Sequence, residues 1–157
     1  MKQNAKEPKQ AEDEVSAKIA ELKSKLKNYE ALKKEYDLTE EHLNTRAVMR
    51  KMGETLESYI KILIQILQPE EFHSLHECTI FDDDDKEKIF DTYKSLMITH
   101  RELLLAEILN EEKNNISTIN YANTELVKIK PEMMKFVTKM QSSWKTQEIK
   151  GKARYFG

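Results

Sequence analysis

The clearest hydrophobic pattern of the chain lies between Glu12 and Tyr36. Apolar side chains recur there at alternating four- and three-residue steps, at Val15, Ile19, Leu22, Leu26, Tyr29 and Tyr36. Lys33 fills the one step that is not apolar, and the opposite face is rich in Lys and Glu. This spacing is typical of the narrow seam of a coiled coil. We therefore predict a coiled-coil-like helix over residues 12–37, which needs a packing partner because so polar a helix is marginal alone.

A second helix is predicted to end at Leu67, before the Gln68-Pro69 pair. Asp37 or Thr39 would cap its beginning, although one helix that continues through this point is the alternative. Its apolar positions are Met49, Met52, Leu56, Tyr59, Leu63 and Ile66. Near its end the apolar stripe widens almost around the helix, which predicts either the most buried segment of the protein or part of a subunit interface.

A third helix is predicted to begin in the Asp82–Asp85 run and to end near Lys113. The aspartates would provide a cap and a negatively charged first turn. Its core-facing stripe is predicted to contain Phe90, Tyr93, Met97, His100, Leu104 and Ile108, widened by Ile89, Leu96, Leu103 and Leu105. Residues 69–81 form an irregular connection before it, in which we expect a short helix after Pro69 and a brief extended piece at 79–81.

The C-terminal third is predicted to contain a helix that begins after a break at Asn114-Asn115 and that stops or kinks before Pro131. Pro131 would start a further helical piece, with Met134, Val137, Met140 and Trp144 on one face. No two segments alternate in hydrophobicity for long enough to form a sheet. The predicted fold is therefore all-α: an elongated antiparallel helical bundle of four to five helices, with a coiled-coil-like N-terminal helix.

The predicted organisation along the chain has four parts. Residues 1–11 are polar and contain Pro8, which favours a disordered arm. The coiled-coil-like helix occupies residues 12–37, the core of the helical bundle residues 38–145, and a flexible tail residues 146–157.

Composition and charge narrow the class of protein. Of 157 residues, 39% are hydrophobic and 34% are charged, with only three Gly and three Pro. A charged share above the usual ~25% fits long solvent-exposed helices. The formal net charge of −2 does not favour attraction to phosphates. The single cysteine, Cys78, favours a reducing compartment, and no apolar run suits a signal peptide or a membrane span. We therefore expect cytoplasmic localisation and no membrane partner.

The connector contains the residues that most resemble a metal site. His73, His76 and Cys78 lie close together, ahead of the Asp82–Asp85 run. Imidazole and thiolate suit zinc, but a fourth ligand is missing. A di-iron bundle needs two Glu-x-x-His motifs, and only Glu70 to His73 provides one. Counted from Asp82, a calcium loop lacks both its Gly and its Glu. We predict no metal, no cofactor and no catalytic residue.

Two polar features of the third helix have an ordinary structural explanation. His100 lies between Met97 and Leu104 on the predicted core-facing stripe, and we interpret it as a hydrogen-bonded core histidine. Asp82 to Lys86 spells the recognition sequence of a protease used to remove purification tags. Its place before a good helix indicates a native helix start.

The predicted function is that of a non-enzymatic helical interaction, adaptor or assembly subunit, which binds a protein partner or a second copy through apolar helix seams. The predicted partner-binding residues are Leu22, Leu26 and Tyr29 in the first helix and Phe136, Met140 and Trp144 near the C-terminus. The second group has the aromatic and Met composition of interface hot spots. Whether the first seam closes within the chain or between chains stays open, because both arrangements satisfy the same pattern.

The main alternative is a nucleic-acid- or ribosome-associated factor that uses the basic-aromatic C-terminal tail. Lys150, Lys152 and Arg154 would bind phosphates, and Tyr155 would stack on a base. The signal is short, and the net charge opposes it. A helical metal-binding protein is the third hypothesis.

Overall fold

The computed structural model describes the backbone of residues 8–146 and the side chains of residues 12–145. Within this range, 84% of the residues lie in six helices and none lies in a strand, which confirms the prediction of an all-α helical fold. The helices are α1 (Pro8–Lys25), α2 (Tyr29–Glu35), α3 (Thr45–Leu67), α4 (Phe72–Cys78), α5 (Asp83–Leu109) and α6 (Glu112–Thr146).

The predicted N-terminal helix is divided into α1 and α2. At the division the Tyr29 N–H donates to the Leu26 carbonyl, three residues back, at 3.0 Å, which tightens the turn. The change in helix rotation places Leu32 in the core and leaves Lys33 exposed. The prediction that Lys33 occupies the seam is therefore wrong, because a heptad pattern holds its rotation only along an uninterrupted helix.

The helix α3 begins later than either predicted cap would allow. Asp37 has a left-handed φ of 51°, which ends the preceding helix. The side chain of Asn44 then caps α3, since its Oδ1 accepts a hydrogen bond from the Ala47 N–H at 2.9 Å. Thr39 instead bonds locally to His42. The cap is therefore Asn44, and the residues between Asp37 and Asn44 form a turn.

The connector and the start of α5 follow the prediction in part. A short helix, α4, does follow Pro69, and α5 begins at Asp83. The Asp82 Oδ1 accepts a hydrogen bond from the Asp85 N–H at 2.8 Å, which confirms the predicted cap. Residues 79–81 contain turns and no strand, so the expected extended piece is wrong.

The boundary between α5 and α6 lies at Asn110, not at Asn114-Asn115. Asn110 has a φ of 52°, a left-handed conformation that asparagine tolerates at a helix end. Asn115 is buried inside α6. Pro131 also lies inside α6, so of the two predicted outcomes there, a stop or a kink, the stop is wrong. Buried Ile129 and Met133 anchor the helix on both sides of the proline, which offsets the lost backbone hydrogen bond.

The chain divides into two compact units. Within the described residues, unit 1 contains the chain up to Glu57 and Ile98–Glu125, and unit 2 contains Ser58–Met97 and the chain from Leu126. The helices α3, α5 and α6 contribute residues to both. The buried apolar residues of unit 1 include Leu22, Leu26, Tyr29, Leu32, Tyr36, Val48, Met49, Met52, Leu56, Leu103, Ala106 and Ile119; those of unit 2 include Ile60, Leu63, Ile66, Phe81, Ile89, Leu96, Leu126, Ile129, Met133 and Phe136.

The rotation of α5 differs from the prediction. Its buried side contains Ile89, Leu96, Thr99, His100, Leu103 and Ala106, whereas Phe90, Leu104, Leu105 and Ile108 are exposed. Leu103, Leu104 and Leu105 are consecutive, so several rotations of the helix would each bury leucines. The predicted stripe is therefore wrong at Phe90, Leu104, Leu105 and Ile108.

Candidate interaction surfaces

The first predicted partner-binding group lies inside unit 1. Leu22, Leu26 and Tyr29 are all buried by the chain itself. Leu22 lines a small cavity of about 300 Å³ together with Leu43 and Glu112. The N-terminal seam thus closes within the chain from Leu22 onward, whereas Val15 and Ile19 before it are only half-buried.

A carboxylate in α6 ties the end of α1 to the start of α3 within unit 1. Glu112 accepts hydrogen bonds from the Lys25 Nζ and from the Thr45 Oγ1, both at 2.9 Å. The Lys25 bond, aided by Thr45, holds the pKa of Glu112 below its ordinary value although burial acts in the opposite direction. This contact links the C-terminal end of α1 to α3 and α6 within unit 1.

A second carboxylate joins α5 to α3. Glu107 accepts a hydrogen bond from the Arg50 Nε at 2.6 Å and a longer one from the Arg46 Nε at 3.3 Å. The Arg50 bond is the main reason that the pKa of Glu107 lies below its ordinary value. Since both arginines stand on α3, the contact links α3 and α5 within unit 1.

His100 lies beside this contact in a groove of about 230 Å³. Its ring is buried, and the Nε2 lies 3.2 Å from the Glu57 Oε1. The prediction that His100 is a core residue is confirmed by its burial, and its hydrogen bond stays a prediction. The groove is lined by Met49, Arg50, Gly53, Glu54, Glu57, His100, Leu103, Leu104 and Glu107, none of which is a hydroxyl or thiol nucleophile.

Trp144, from the second predicted group, lies on the surface of unit 2. Its indole N–H donates to the Glu77 Oε1 at 2.7 Å. The ring of His76 lies against the indole, with centroids 4.3 Å apart and planes tilted by 41°. Trp144 is nevertheless 50% exposed. It is therefore held in one orientation and still accessible.

Further exposed apolar side chains lie on the two helices that meet at this tryptophan, α4 and α6. Phe72 and Leu75 lie on the same side of α4 as His76, at three- and four-residue spacing, and both are exposed. On α6, Val137 lies two turns before Trp144 and Met134 one turn before Val137, and both are exposed. We call this set the Trp144 face; its residues are Phe72, Leu75, Met134, Val137 and Trp144.

The other two residues of the second predicted group lie deeper. Phe136 is buried, and its ring meets the edge of Phe81 with centroids 6.4 Å apart. Lys139 stands over the Phe81 ring and pairs with Asp85, and this bond lowers the pKa of the Asp85 carboxyl. Met140 is half-buried. Of Phe136, Met140 and Trp144, only the last is well exposed.

Sequence reasoning missed Phe72 and Leu75. They lie in the connector, in which only the polar residues suggest a site from the sequence. Two large apolar side chains in a helix of seven residues nevertheless indicate an exposed apolar patch. The rotation of α6 determines which of its apolar side chains are accessible. It buries Met133 and Phe136 in unit 2 and exposes Met134 and Val137 to solvent.

The residues of the metal hypothesis are not brought together. The His73 Nδ1 lies 3.2 Å from the Glu71 Oε2, the Cys78 thiol donates to the Leu75 carbonyl, and His76 packs on Trp144. Among the described residues, no three His, Cys, Asp or Glu side chains are grouped so that they could hold a metal ion.

The last group of predicted site residues lies in the C-terminal tail. Lys150, Lys152, Arg154 and Tyr155 lie outside the described residues. In the described part of the chain, no helix has both the length and the apolar character to cross a membrane. Comparisons of the chain with protein-family models, curated proteins and solved structures returned no match.

Proposed function

We propose that this chain is a non-enzymatic interaction subunit that binds a protein partner through the Trp144 face. The observation that carries the proposal is that α4 and α6 both expose large apolar side chains to water in unit 2, among which Phe72 is 68% exposed. Aromatic and Met side chains are enriched at the centres of protein interfaces. Exposing them on a small domain costs solubility, and binding a partner would remove that cost.

The contacts beneath the face support this proposal because they pre-organise it. Glu77 and His76 hold the indole of Trp144, so little side-chain entropy is left to lose on binding. The Phe81–Phe136 contact and the Lys139–Asp85 pair fasten the neighbouring segments within unit 2.

The charges next to the face are of both signs. Glu70 and Glu71 are exposed at the start of α4, and Lys135 and Lys145 are exposed beside Met134 and Trp144 on α6. The apolar centre of the face therefore favours a partner that presents Leu, Met or aromatic side chains, and an amphipathic helix is the simplest segment with this property.

Site-specific photo-cross-linking tests the proposal. A benzophenone amino acid is placed at Leu75 or at Val137 in the full chain, with the exposed Phe90 of α5 as the matched control position. We expect a cross-linked protein from the first two positions and none from the third. The product is identified by mass spectrometry and purified for direct binding.

The binding measurement uses Trp144 itself, because it is the only tryptophan of the chain and its emission reports directly on the face. Leu75→Asp should weaken binding by about tenfold or more, and Phe90→Asp should leave it unchanged. Equal cross-linking at all three positions, or binding that Leu75→Asp does not weaken, would overturn the proposal.

A further inference from the structure

The C-terminal half of α5, in unit 1, carries a second exposed apolar surface. Ile98, Leu105 and Ile108 are 48%, 51% and 79% exposed, and Arg101 completes a three-four-three spacing with them. This is the spacing of the inner positions of a coiled coil. We call these four residues the α5 seam; Leu104 and Leu109, also exposed, flank it.

The α5 seam lies on the side of the helix opposite to the core of unit 1. The inward side is occupied by Thr99, His100, Leu103 and Ala106, all of which are buried. Rotating α5 to bury the seam would therefore expose these four residues and would break the Arg50–Glu107 contact. The seam is thus a stable outward feature of unit 1, which another molecule must cover if it is to be removed from water.

The seam and its edge carry one positive and one negative charge, on Arg101 and Glu102. Arg101 and Glu102 are exposed neighbours, and neither forms an ion pair with another described side chain. By contrast, Arg46 and Arg50 on α3 both pair with Glu107. A partner for the seam should therefore offer apolar side chains, one carboxylate and one cation, which is the composition of the seam and its neighbour Glu102.

We propose that the seam binds a second copy of this chain, with the two α5 helices antiparallel and a two-fold axis at the level of Leu103. Ile98 of one copy then packs on Ile108 of the second copy, and the stem of Arg101 packs on Leu105 of the second copy. The guanidinium of Arg101 reaches Glu102 of the second copy, and the two-fold axis repeats each contact.

The antiparallel arrangement follows from the position of Arg101. In a parallel, in-register pair, Arg101 of both copies would occupy the same layer, and like charges in contact destabilise a helix pair. In the antiparallel pair, each arginine covers an apolar side chain with its stem and keeps its charged end at the rim beside a carboxylate.

The seam is short, which sets the expected strength of the dimer. Ten residue steps from Ile98 to Ile108 correspond to about 15 Å of helix, so the buried area lies below the ~1,200 Å² of stable interfaces. We expect a weak, concentration-dependent dimer. This inference goes beyond the proposed function, because none of its residues belongs to the Trp144 face.

Sedimentation equilibrium of the full chain tests the dimer over a roughly hundredfold concentration range that brackets micromolar dissociation constants. The wild type should pass from monomer to dimer. Leu105→Asp and Ile108→Asp should stay monomeric, whereas Val127→Asp, an exposed apolar position in unit 2, should behave like the wild type. Circular dichroism confirms that each variant is folded. Two results would overturn the proposal. One is a wild type that stays monomeric, which would leave the seam for a helix of another protein, and the other is a dimer that Leu105→Asp does not weaken.

A charge exchange tests the arrangement of the two helices. Arg101→Glu and Glu102→Arg should each weaken association by about tenfold, since each places like charges side by side. The double variant should restore it, because the exchange keeps the pairs complementary. Failure of the double variant to restore association overturns the proposed geometry.

Cross-linking distinguishes the antiparallel from the parallel pair. In a Cys78→Ser background, a mixture of Ile98→Cys and Ile108→Cys chains should cross-link with a short thiol-reactive reagent, and each variant alone should not. Cross-linking of each variant alone would indicate the parallel pair and overturn the proposal. Leu75→Asp should not alter dimer formation, so the failure of this inference is separable from that of the proposed function.

Discussion

Unit 1 contains two apolar seams of similar spacing, one buried and one exposed. The N-terminal seam, which includes Leu22, Leu26 and Tyr29, is covered by the chain itself, whereas the α5 seam is open to solvent. Apart from its alanines and Leu32, the N-terminal segment is polar elsewhere, so α1 and α2 each have one rotation that buries their large apolar side chains. The C-terminal half of α5 is apolar on two sides, and the side with Thr99 and Ala106 is the buried one. Small residues let helices approach closely, which favours that side over the larger leucines and isoleucines.

The largest expected effect is on stability, at the centre of the buried seam. Leu26→Ala should lower the free energy of unfolding by about 2–5 kcal/mol, because it leaves a cavity where the leucine was fully enclosed. Leu105→Ala, the matched change in the α5 seam, should alter it by no more than about 0.5 kcal/mol. Urea unfolding at low protein concentration, where association does not contribute, measures both. Equal losses in the free energy of unfolding for Leu26→Ala and Leu105→Ala would contradict the conclusion that the first seam is buried and the second is exposed.

A smaller effect should distinguish the broken N-terminal helix from a continuous heptad. Leu32→Ala should lower the free energy of unfolding by roughly 2 kcal/mol, since Leu32 is buried in α2. Lys33→Ala, on the exposed side, should change it by less than about 0.5 kcal/mol. Thermal and urea unfolding of the pair are the measurement. A larger loss of stability for Lys33→Ala than for Leu32→Ala would support the continuous heptad and contradict the division at residues 26–28.

The smallest effect concerns pH and compares the two sides of α5. Bonding to Arg50 holds the pKa of Glu107 below the ordinary value of 4.5, so the folded state binds the proton more weakly than the unfolded state. The resulting stabilisation, about 1 kcal/mol or less, is complete above pH 4.5 and is lost as the pH falls through the folded-state pKa.

Glu107→Gln and Arg50→Gln should therefore each reduce the loss of stability between neutral and acid pH, whereas Arg101→Gln, on the exposed side, should leave it unchanged. Unfolding curves at a series of pH values provide the comparison. An Arg101→Gln variant that also changes the acid response would show that the α5 seam is not open in the monomer.

The fold class and several helix ends could be predicted because they depend on local chemistry. The Asp82 cap and the end of α3 before Pro69 follow from residues within one turn. Boundaries set by tertiary packing could not be predicted. Pro131 was expected to interrupt the helix, but the burial of Ile129 and Met133 on either side outweighs its local cost.

The candidate surface could be predicted only in part, for a related reason. Trp144 was singled out by composition, and it is accessible in the structure. Phe136 belongs to the same sequence cluster, yet it packs against Phe81. It lies eight residues before Trp144 on α6, which is slightly more than two turns, so the two side chains point in different directions. Which member of an aromatic cluster faces water depends on the neighbouring helices, and these are not encoded in the spacing alone.

The cap at Asp82 has a consequence for proteolysis. The protease that recognises Asp82 to Lys86 must bind them in an extended conformation, but Asp83–Lys86 form the first turn of α5 and Asp82 is fixed by its bond to the Asp85 N–H. Cleavage after Lys86 therefore requires that turn to unwind. When cleavage is slower than rewinding, its rate reports the fraction of molecules in which this end of α5 is open, so the chain carries a built-in probe of local unfolding.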